Sequence, residues 1–435
     1  MNIRHELPNG LRRFLLTPLV LCLTACAVPR GAAAPVTLAT NQPNVVAYWN
    51  DIANKTVLAT SSAVNTTPEE QRPTYFSDLA GVHVAMYDAV VAVEGRFKPF
   101  AFKPTAPAAG ASTDAAVSAA AYGVLKALFP NRSAHYEAGY EQRLAALPDG
   151  PAKTKGLALG REVAEAVVRL RANDGRSVAL APYVSGTAPG QFRSANPNPV
   201  FRYFPSIKPF ALNGLDQFRP APPPALSSAA YAAAVNETRA LGGTISAVRT
   251  PEQLEIARFH TEPPPSAVTR NLGRFASSTE NVGDAARLMA VIYVSFADAI
   301  GACFEAKYHY RSWRPVSAIQ MADADGNDAT VPDATWAPSL PTPNHPEYPA
   351  AHSCTSGSLG EVLRNFYGTP KVTFTWDSTV TKTTRTYAGI DAFNAEASMA
   401  RIHGGMHFRH ATVAGETLGR EVAQWIGQRH FGRED

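Results

Sequence analysis

The sequence predicts an all-α protein on three observations. Apolar stripes recur at spacings of three and four, Ala-rich segments fill much of the first half, and only one stretch alternates as strands do. The stripe is plainest from Tyr75 to Gly95, where Leu79, Val82, Ala85, Met86, Ala89, Val90 and Val93 share one face. Upstream, "NVVAYWNDIANKTVLAT" has the spacing of another amphipathic helix. Ala-rich segments at about 112–129 and 132–171 read as helices, with a Gly/Pro break near residue 150. From about 181 to 226 the chain is dense in Pro, Asn, Ser and aromatics, as in "ANPNPVFRYFPSIKPF", which suits neither a helix nor a central strand. Such a length without regular structure reads as a wrapping loop, a lid or a hinge. Helices resume at about 227–240, 250–262 and 282–308, and in the last Leu288, Ile292, Phe296, Ile300 and Phe304 step by four. Only Lys371 to Ala388 looks like strands, enough for one short β-hairpin. The expected architecture is two four-helix-bundle-like halves, residues 43–180 and 227–435, around a wrapping loop at 181–226.

With 435 residues, 45% of them hydrophobic, the chain can bury a large core. Lys plus Arg exceed Asp plus Glu by only 40 to 36, which argues against a nucleic-acid partner. Arg12 and Arg13 precede "FLLTPLVLCLTAC", a run short for a membrane span that reads as a signal peptide over residues 1–25. Its end, "LTAC", resembles the lipobox of bacterial lipoproteins, which makes Cys26 the expected lipid anchor. An ordinary secretory cut near "RGAAAP" and a weak twin-arginine signal around "LRRFLL" are the alternatives. Residues 26–42 then form a tether and 43–435 one domain. No later segment reads as an uninterrupted membrane span, so the body is expected outside the cytoplasm, touching the membrane only through the anchor. Cys303 and Cys354 remain in that body, and an oxidising compartment permits but does not require their pairing.

Three blocks could carry chemistry. Lys307 lies three beyond Phe304 on the apolar face of its helix, and Arg314 follows at seven, held out of helical geometry by Pro315. A cation on a buried face needs a partner, and an anion is a natural one. In "ARIHGGMHFRHA", Gly404 and Gly405 separate Arg401 from His407, which is expected to begin a new helix whose free N–H groups favour anions. In "PEYPAAHSC", Pro349 stops what precedes His352, and "SLGEVLRNFYG" continues as a helix. Two histidines at helix starts, with Lys307, Arg314 and Arg401, make an oxyanion-binding set.

The order and spacing of these blocks resemble the vanadium-dependent haloperoxidases and the acid phosphatases of the phosphatidate phosphatase type-2 superfamily. Their pattern is K-x6-R-P, then P-S-G-H, then S-R-x5-H-x3-D, and "WNDIANKTV", "AMYDAVVAVEGRFKPF" and "RTPEQLEIARFHTEPPP" look like the longer bacterial haloperoxidases. The resemblance implies vanadate as cofactor, with its oxygens held by Lys307, Arg314, Arg401 and the backbone at Ala351. His407 would be the ligand to the metal and His352 the acid/base, with Lys307 polarising bound peroxide. Hydrogen peroxide, a halide and a small organic acceptor are the implied partners, and a homodimer is compatible with it. His345, seven before His352, stands where the bromide class carries histidine, so bromide or iodide is favoured. With Phe304 it forms the candidate halide site. Phosphate could occupy the same cage, in which case His407 would be a phosphatase nucleophile.

Four alanines depart from that pattern. Ala350 and Ala351 replace the serine and glycine before His352, Ala400 replaces the serine before Arg401, and Ala411 stands where an aspartate orients a histidine. His403, His410, Ser353 and Glu416 are the candidates to compensate, and a weakly active or inactive anion-binding relative is the third reading. "DADGND" reads as a polar turn rather than a calcium loop, because Ala334 occupies the twelfth position. His83 and Asp88 read as core residues, and His260 as a neighbour of the site at most.

Overall fold

The computed structural model describes residues 34–38, 44–59, 65–104 and 108–434. The expected signal peptide, Cys26 and most of the tether lie outside these residues. In chain order the first half contains β1 (Val36–Thr37), α1 (Val45–Leu58), α2 (Pro68–Gln71), α3 (Phe76–Glu94), α4 (Thr113–Leu128), α5 (Glu137–Ala145) and α6 (Pro151–Arg171). The second contains α7 (Ala229–Gly242), α8 (Pro251–Phe259), α9 (Pro264–Ser277), α10 (Val282–Tyr310), α11 (Pro315–Gln320) and α12 (Ala351–Tyr367). The hairpin β2 (Val372–Ser378) and β3 (Thr383–Tyr387) follows, and α13 (Ile390–His403) and α14 (Arg409–Arg429) close the chain. The fold is predominantly helical, as its periodicity predicts.

Helix starts follow local chemistry. Asn44, Ser112, Ser228 and Asn281 each accept a backbone N–H from the first turn of α1, α4, α7 and α10, satisfying donors a helix leaves free. Sequence reading misses α9, because Pro263, Pro264 and Pro265 look like a break. Proline is tolerated at the first helical positions, and here Pro264 and Pro265 open the helix. The hairpin gains a third strand: β1 pairs parallel with β2 through Val36 and Val372, while β2 and β3 pair antiparallel from Phe374–Tyr387 to Ser378–Thr383.

The long helix α10 is the spine of the molecule. It packs on α3 in the first half and on α12 and α14 in the second, and from Leu288 to Phe304 its apolar side chains are buried apart from the half-buried Ala297. By length and composition α3 and α10 could each cross a bilayer, contrary to the sequence reading. Within each apolar window 89% of the residues are buried inside the protein, the setting of a core helix.

The same anchoring device occurs on both. Asp88 of α3 accepts the backbone N–H groups of Phe100, Ala101 and Phe102, and Asp298 of α10 accepts those of Phe210, Ala211 and Leu212. The segments they hold read Lys98-Pro99-Phe100-Ala101 and Lys208-Pro209-Phe210-Ala211. A carboxylate that satisfies three backbone donors pins an irregular segment that has no ladder of its own.

The proline-rich stretch carries only a short helical turn at Phe204–Ser206. It is stitched to the second half, where the Phe192 N–H donates to the Arg311 carbonyl and the Val200 N–H to that of Asn344. Both contacts flank the segments that hold the candidate site.

Candidate active site

The cage is assembled from the ends of α10, α12 and α13 and the turn before α14. Lys307 sits in the last turn of α10, wholly buried, and its Nζ donates to the carbonyls of Pro346 at 2.9 Å and Glu347 at 3.0 Å. Pro315 opens α11, so Arg314 adopts the extended conformation that a residue before proline prefers, with φ −82° and ψ 157°. Its guanidinium spans two segments. Nε donates to the His345 carbonyl at 2.8 Å and Nη2 to His345 Nδ1 at 3.0 Å, while Nη1 donates to the Met406 carbonyl at 2.9 Å and to His407 Nε2 at 3.0 Å.

After α13 the chain reverses through Gly404 and Gly405. Gly405 has φ 74°, and a Cβ there would lie 2.4 Å from the Gly242 carbonyl oxygen, so a side chain fits neither the conformation nor the space. This turn returns His407 beside Arg401. Arg401 Nη1 donates to the His260 carbonyl at 3.2 Å and Nη2 contacts Met406 Sδ at 3.0 Å, while its buried Nε has no partner. His352 stands in the first turn of α12 with its Nε2 covered and unpartnered. The α12 and α14 backbones approach closely because α14 carries Gly415 and Gly419 there. A Cβ at Gly419 would meet the Cys354 carbonyl oxygen at 2.0 Å. Cys354, two residues after His352, is disulfide-bonded to Cys303 of α10, so the pairing left open by sequence is made.

His407 is held by Glu347. The carboxylate Oε1 lies 2.9 Å from His407 Nδ1 and also accepts the Phe408 N–H at 2.9 Å. These contacts assign the tautomer. The Arg314 N–H can only donate, so Nε2 accepts it, and the ring proton resides on Nδ1, directed at Glu347. Nε2 is thus unprotonated on the cage side, and its lone pair is engaged here by Arg314, whose guanidinium would have to release it for the ring to serve as a metal ligand.

Burial pushes the Lys307 ammonium well below the usual lysine range, with Arg314 adding to the effect. Burial likewise brings Arg314 down to about 10, and burial with the neighbouring Arg314 brings Arg401 down to about 9. Glu347, in contact with this group, is pushed up to about 7 by burial. Burial and the adjacent cations hold His407 and His352 well below the ordinary histidine range, so both rings are neutral near pH 7. Three desolvated basic side chains against one carboxylate, with Arg401 Nε unpartnered, are a donor set that fits an oxyanion, and His407 Nε2, engaged by Arg314, and the unpartnered His352 Nε2 add two neutral imidazole nitrogens beside it.

The sequence-predicted residues therefore meet. His345, Ala351, His352, Arg401 and His407 line one cavity of about 360 Å³, with Phe304 on its wall. Arg314 lies behind His345 and His407, and Lys307 behind the Pro346–Glu347 backbone. Phe304 packs edge-on against the His345 ring at 5.1 Å. His260 supports Arg401 through its carbonyl and turns its ring to Glu396 at 3.0 Å. Glu305, the neighbour that could have satisfied Lys307 at a solvated helix end, pairs instead with Arg219.

Sequence reasoning missed Glu347. The missing aspartate at Ala411 is compensated by this residue, and none of the four expected candidates holds His407. Ser353 pairs with Ser398, His403 has both ring nitrogens unpartnered, His410 lies on Phe408, and Glu416 makes no bond to the histidine. The available signal was a glutamate within "PEYPAAH", in a loop otherwise apolar. Ala350 and Ala411 pack together with Tyr348, and the Ala350 N–H donates to the Ala411 carbonyl at 2.9 Å. Where the resembling pattern has a hydroxyl and a carboxylate, this chain has methyl groups in contact. His407 itself stands two residues before α14, not at its first position.

Residues 287–431 match the family model of the VCPO second helical-bundle domain. Over the whole chain, a solved bacterial vanadium-dependent iodoperoxidase superposes with a TM-score of 0.71 at 20% identity, covering 90% of this chain and 96% of that one. The fold is that of the vanadium-dependent haloperoxidases. A bacterial vanadium-dependent chloroperoxidase aligns in its apo form with a TM-score of 0.63 at 15% identity, covering 85% of this chain and 95% of that chain. Its holo form aligns at 0.64 and 15% identity, covering 90% and 98%. Comparison with curated protein sequences gives no match. The haloperoxidase fold thus spans both halves of the chain, and the match to the family model falls on the half that carries the cage.

Proposed function

We propose that the protein is a vanadate-dependent haloperoxidase that oxidises iodide or bromide with hydrogen peroxide to the hypohalous acid. The observation that carries this reading is the charge imbalance of the cage, where buried Lys307, Arg314 and Arg401 gather around one carboxylate, Glu347, whose hydrogen bonds go to His407 and Phe408. Lys307, Arg314, Arg401 and the backbone N–H of Ala351 would hold the oxygens of vanadate, and His407 would bind through Nε2. Bound there, vanadate supplies a Lewis-acid centre that activates peroxide without changing oxidation state. His352, neutral and unpartnered at Nε2, accepts the peroxide proton and returns one as water leaves. The balance is halide, peroxide and one proton giving hypohalous acid and water. Glu347 keeps the Nδ1 proton of His407 in place throughout. His345, engaged by Arg314 and packed on Phe304, forms the halide-facing wall. The lean to iodide or bromide rests on this histidine and on the likeness to the iodoperoxidase. Extracytoplasmic location and lipid anchoring at Cys26 belong to the same proposal and rest on the leader sequence alone.

The test runs two assays on one preparation, with and without orthovanadate. Iodide and bromide oxidation by peroxide should depend on vanadate and be lost in His407→Ala. Hydrolysis of 4-nitrophenyl phosphate without halide oxidation would replace this reading with a phosphatase acting through His407. Silence in both assays with vanadate still bound would make the chain an inactive relative.

A further inference from the structure

Halide oxidation consumes one proton per turnover, and His352, which must pass it on, has its Nε2 covered by protein. The large chamber on one side of that ring is a poor route, because Tyr75, Phe76, Phe201, Phe204 and Ile300 make much of its wall apolar. His352 also lines a second cavity of about 40 Å³, room for about two or three waters, whose walls include His260, Thr355 and Ser356. The Thr355 and Ser356 hydroxyls donate to the Ala351 and Ser353 carbonyls of their own helix, at 3.1 and 3.4 Å, so their lone pairs remain for water. His260 Nε2 lies 3.0 Å from Glu396 Oε1, which also accepts from the Tyr387 hydroxyl at 2.6 Å. A carboxylate only accepts, so the ring proton of His260 resides on Nε2. Its Nδ1 then carries a lone pair and meets no hydrogen-bond partner among the described residues.

We propose that His260 and Glu396 form a proton reservoir that feeds His352 through water in the small cavity. The inference rests on the haloperoxidase reading. Water entering the cavity protonates His260 at Nδ1, and the Glu396 carboxylate balances the imidazolium. Cavity water then carries the proton to His352, which releases it to the departing oxygen as water forms. Each turnover moves one proton along this route and leaves His260 neutral, ready to reload. The charged groups around the pair are Arg401, which donates to the His260 carbonyl, and Arg385, which bonds Glu396 at 3.0 Å and also pairs with Glu255. Glu262, on the cavity wall, is committed to Arg270 and the Thr379 N–H. Burial and the two arginines hold His260 below the ordinary histidine range against the pull of Glu396, so a proton loaded there is readily surrendered.

A crystal structure of the vanadate-free protein tests the route independently of turnover. Ordered water within hydrogen-bond reach of both the His260 and His352 rings is expected, and a dry cavity would overturn the relay even if iodide oxidation is intact. The vanadate-loaded variants His260→Ala and Ser356→Val, with folding checked by circular dichroism, test it in turnover. In both, kcat for iodide oxidation should fall about tenfold or more, and the loss should grow as pH rises and protons become scarce. The KM for iodide and the affinity for vanadate should hold. Free imidazole, which fits the hole left by His260→Ala, should restore most of that rate and do nothing for Ser356→Val. Full kcat in either variant would overturn the relay and place proton entry in the chamber. A loss that imidazole does not restore, or one carried by KM or vanadate affinity, would overturn it by making His260 a support of Arg401 only. Wild type that oxidises no iodide would overturn the relay and the haloperoxidase reading together.

Discussion

At the scale of residues, the account turns on a carboxylate that fixes one proton. Glu347 holds His407 Nδ1–H and the Phe408 N–H together, so its replacement should act on anion affinity through His407. Glu347→Gln is expected to weaken vanadate binding by ~10- to 100-fold, the usual cost of losing a partner of a ligating histidine. Equilibrium titration of folded variant and wild type with orthovanadate checks this, and an unchanged affinity would remove Glu347 from the account. Lys307, Arg314, His352, Arg401 and His407 were legible because each falls in a short block with its own spacing. Glu347 was not, since it meets a histidine 60 positions away in sequence. Ala411 announces that a carboxylate is missing from α14, but only the folded chain shows that the replacement comes from the loop before α12.

At the scale of elements, α10 and α12 carry Lys307 and His352 and are clamped together one turn away by the Cys303–Cys354 disulfide. The bond closes a loop of 51 residues, for which chain entropy gives a stabilisation of about 4 kcal/mol. The paired variant Cys303→Ala, Cys354→Ala should lower unfolding free energy by up to this amount in denaturant titrations. An unchanged midpoint would mean that helix packing alone holds the cage. Helices with a clear stripe, α3 and α10 above all, were legible from sequence. The helix α9 was not, because prolines that start a helix look the same as prolines that prevent one. The strand β1 is two residues long and exists only because β2 offers it an edge.

At the scale of the whole molecule, several histidines are buried in neutral form, which ties stability to pH. His83, stacked on Tyr293 and bonded through Nε2 to Asn50, is pushed down to about 3 by burial. Its unfolded value is near 6.5, so its contribution is complete above that pH and is lost as pH falls from about 6.5 towards 3. Between pH 7 and 5 this one group should cost about 2 kcal/mol. Denaturant unfolding at the two pH values should show the loss, and His83→Gln should reduce it by about that amount; an equal slope in both proteins would exclude His83 as a source.

The shared device of Asp88 and Asp298 shows how two halves with little visible repeat are braced against one core, leaving the cage where α10 and α13 end and α12 begins. The central claim is that this cage binds an oxyanion with His407 as ligand. Calorimetric titration of orthovanadate into the purified protein tests it most directly. The account predicts saturation at one vanadate per chain in wild type and its loss in folded His407→Ala. No saturable binding in wild type, or equal binding in both, would contradict it.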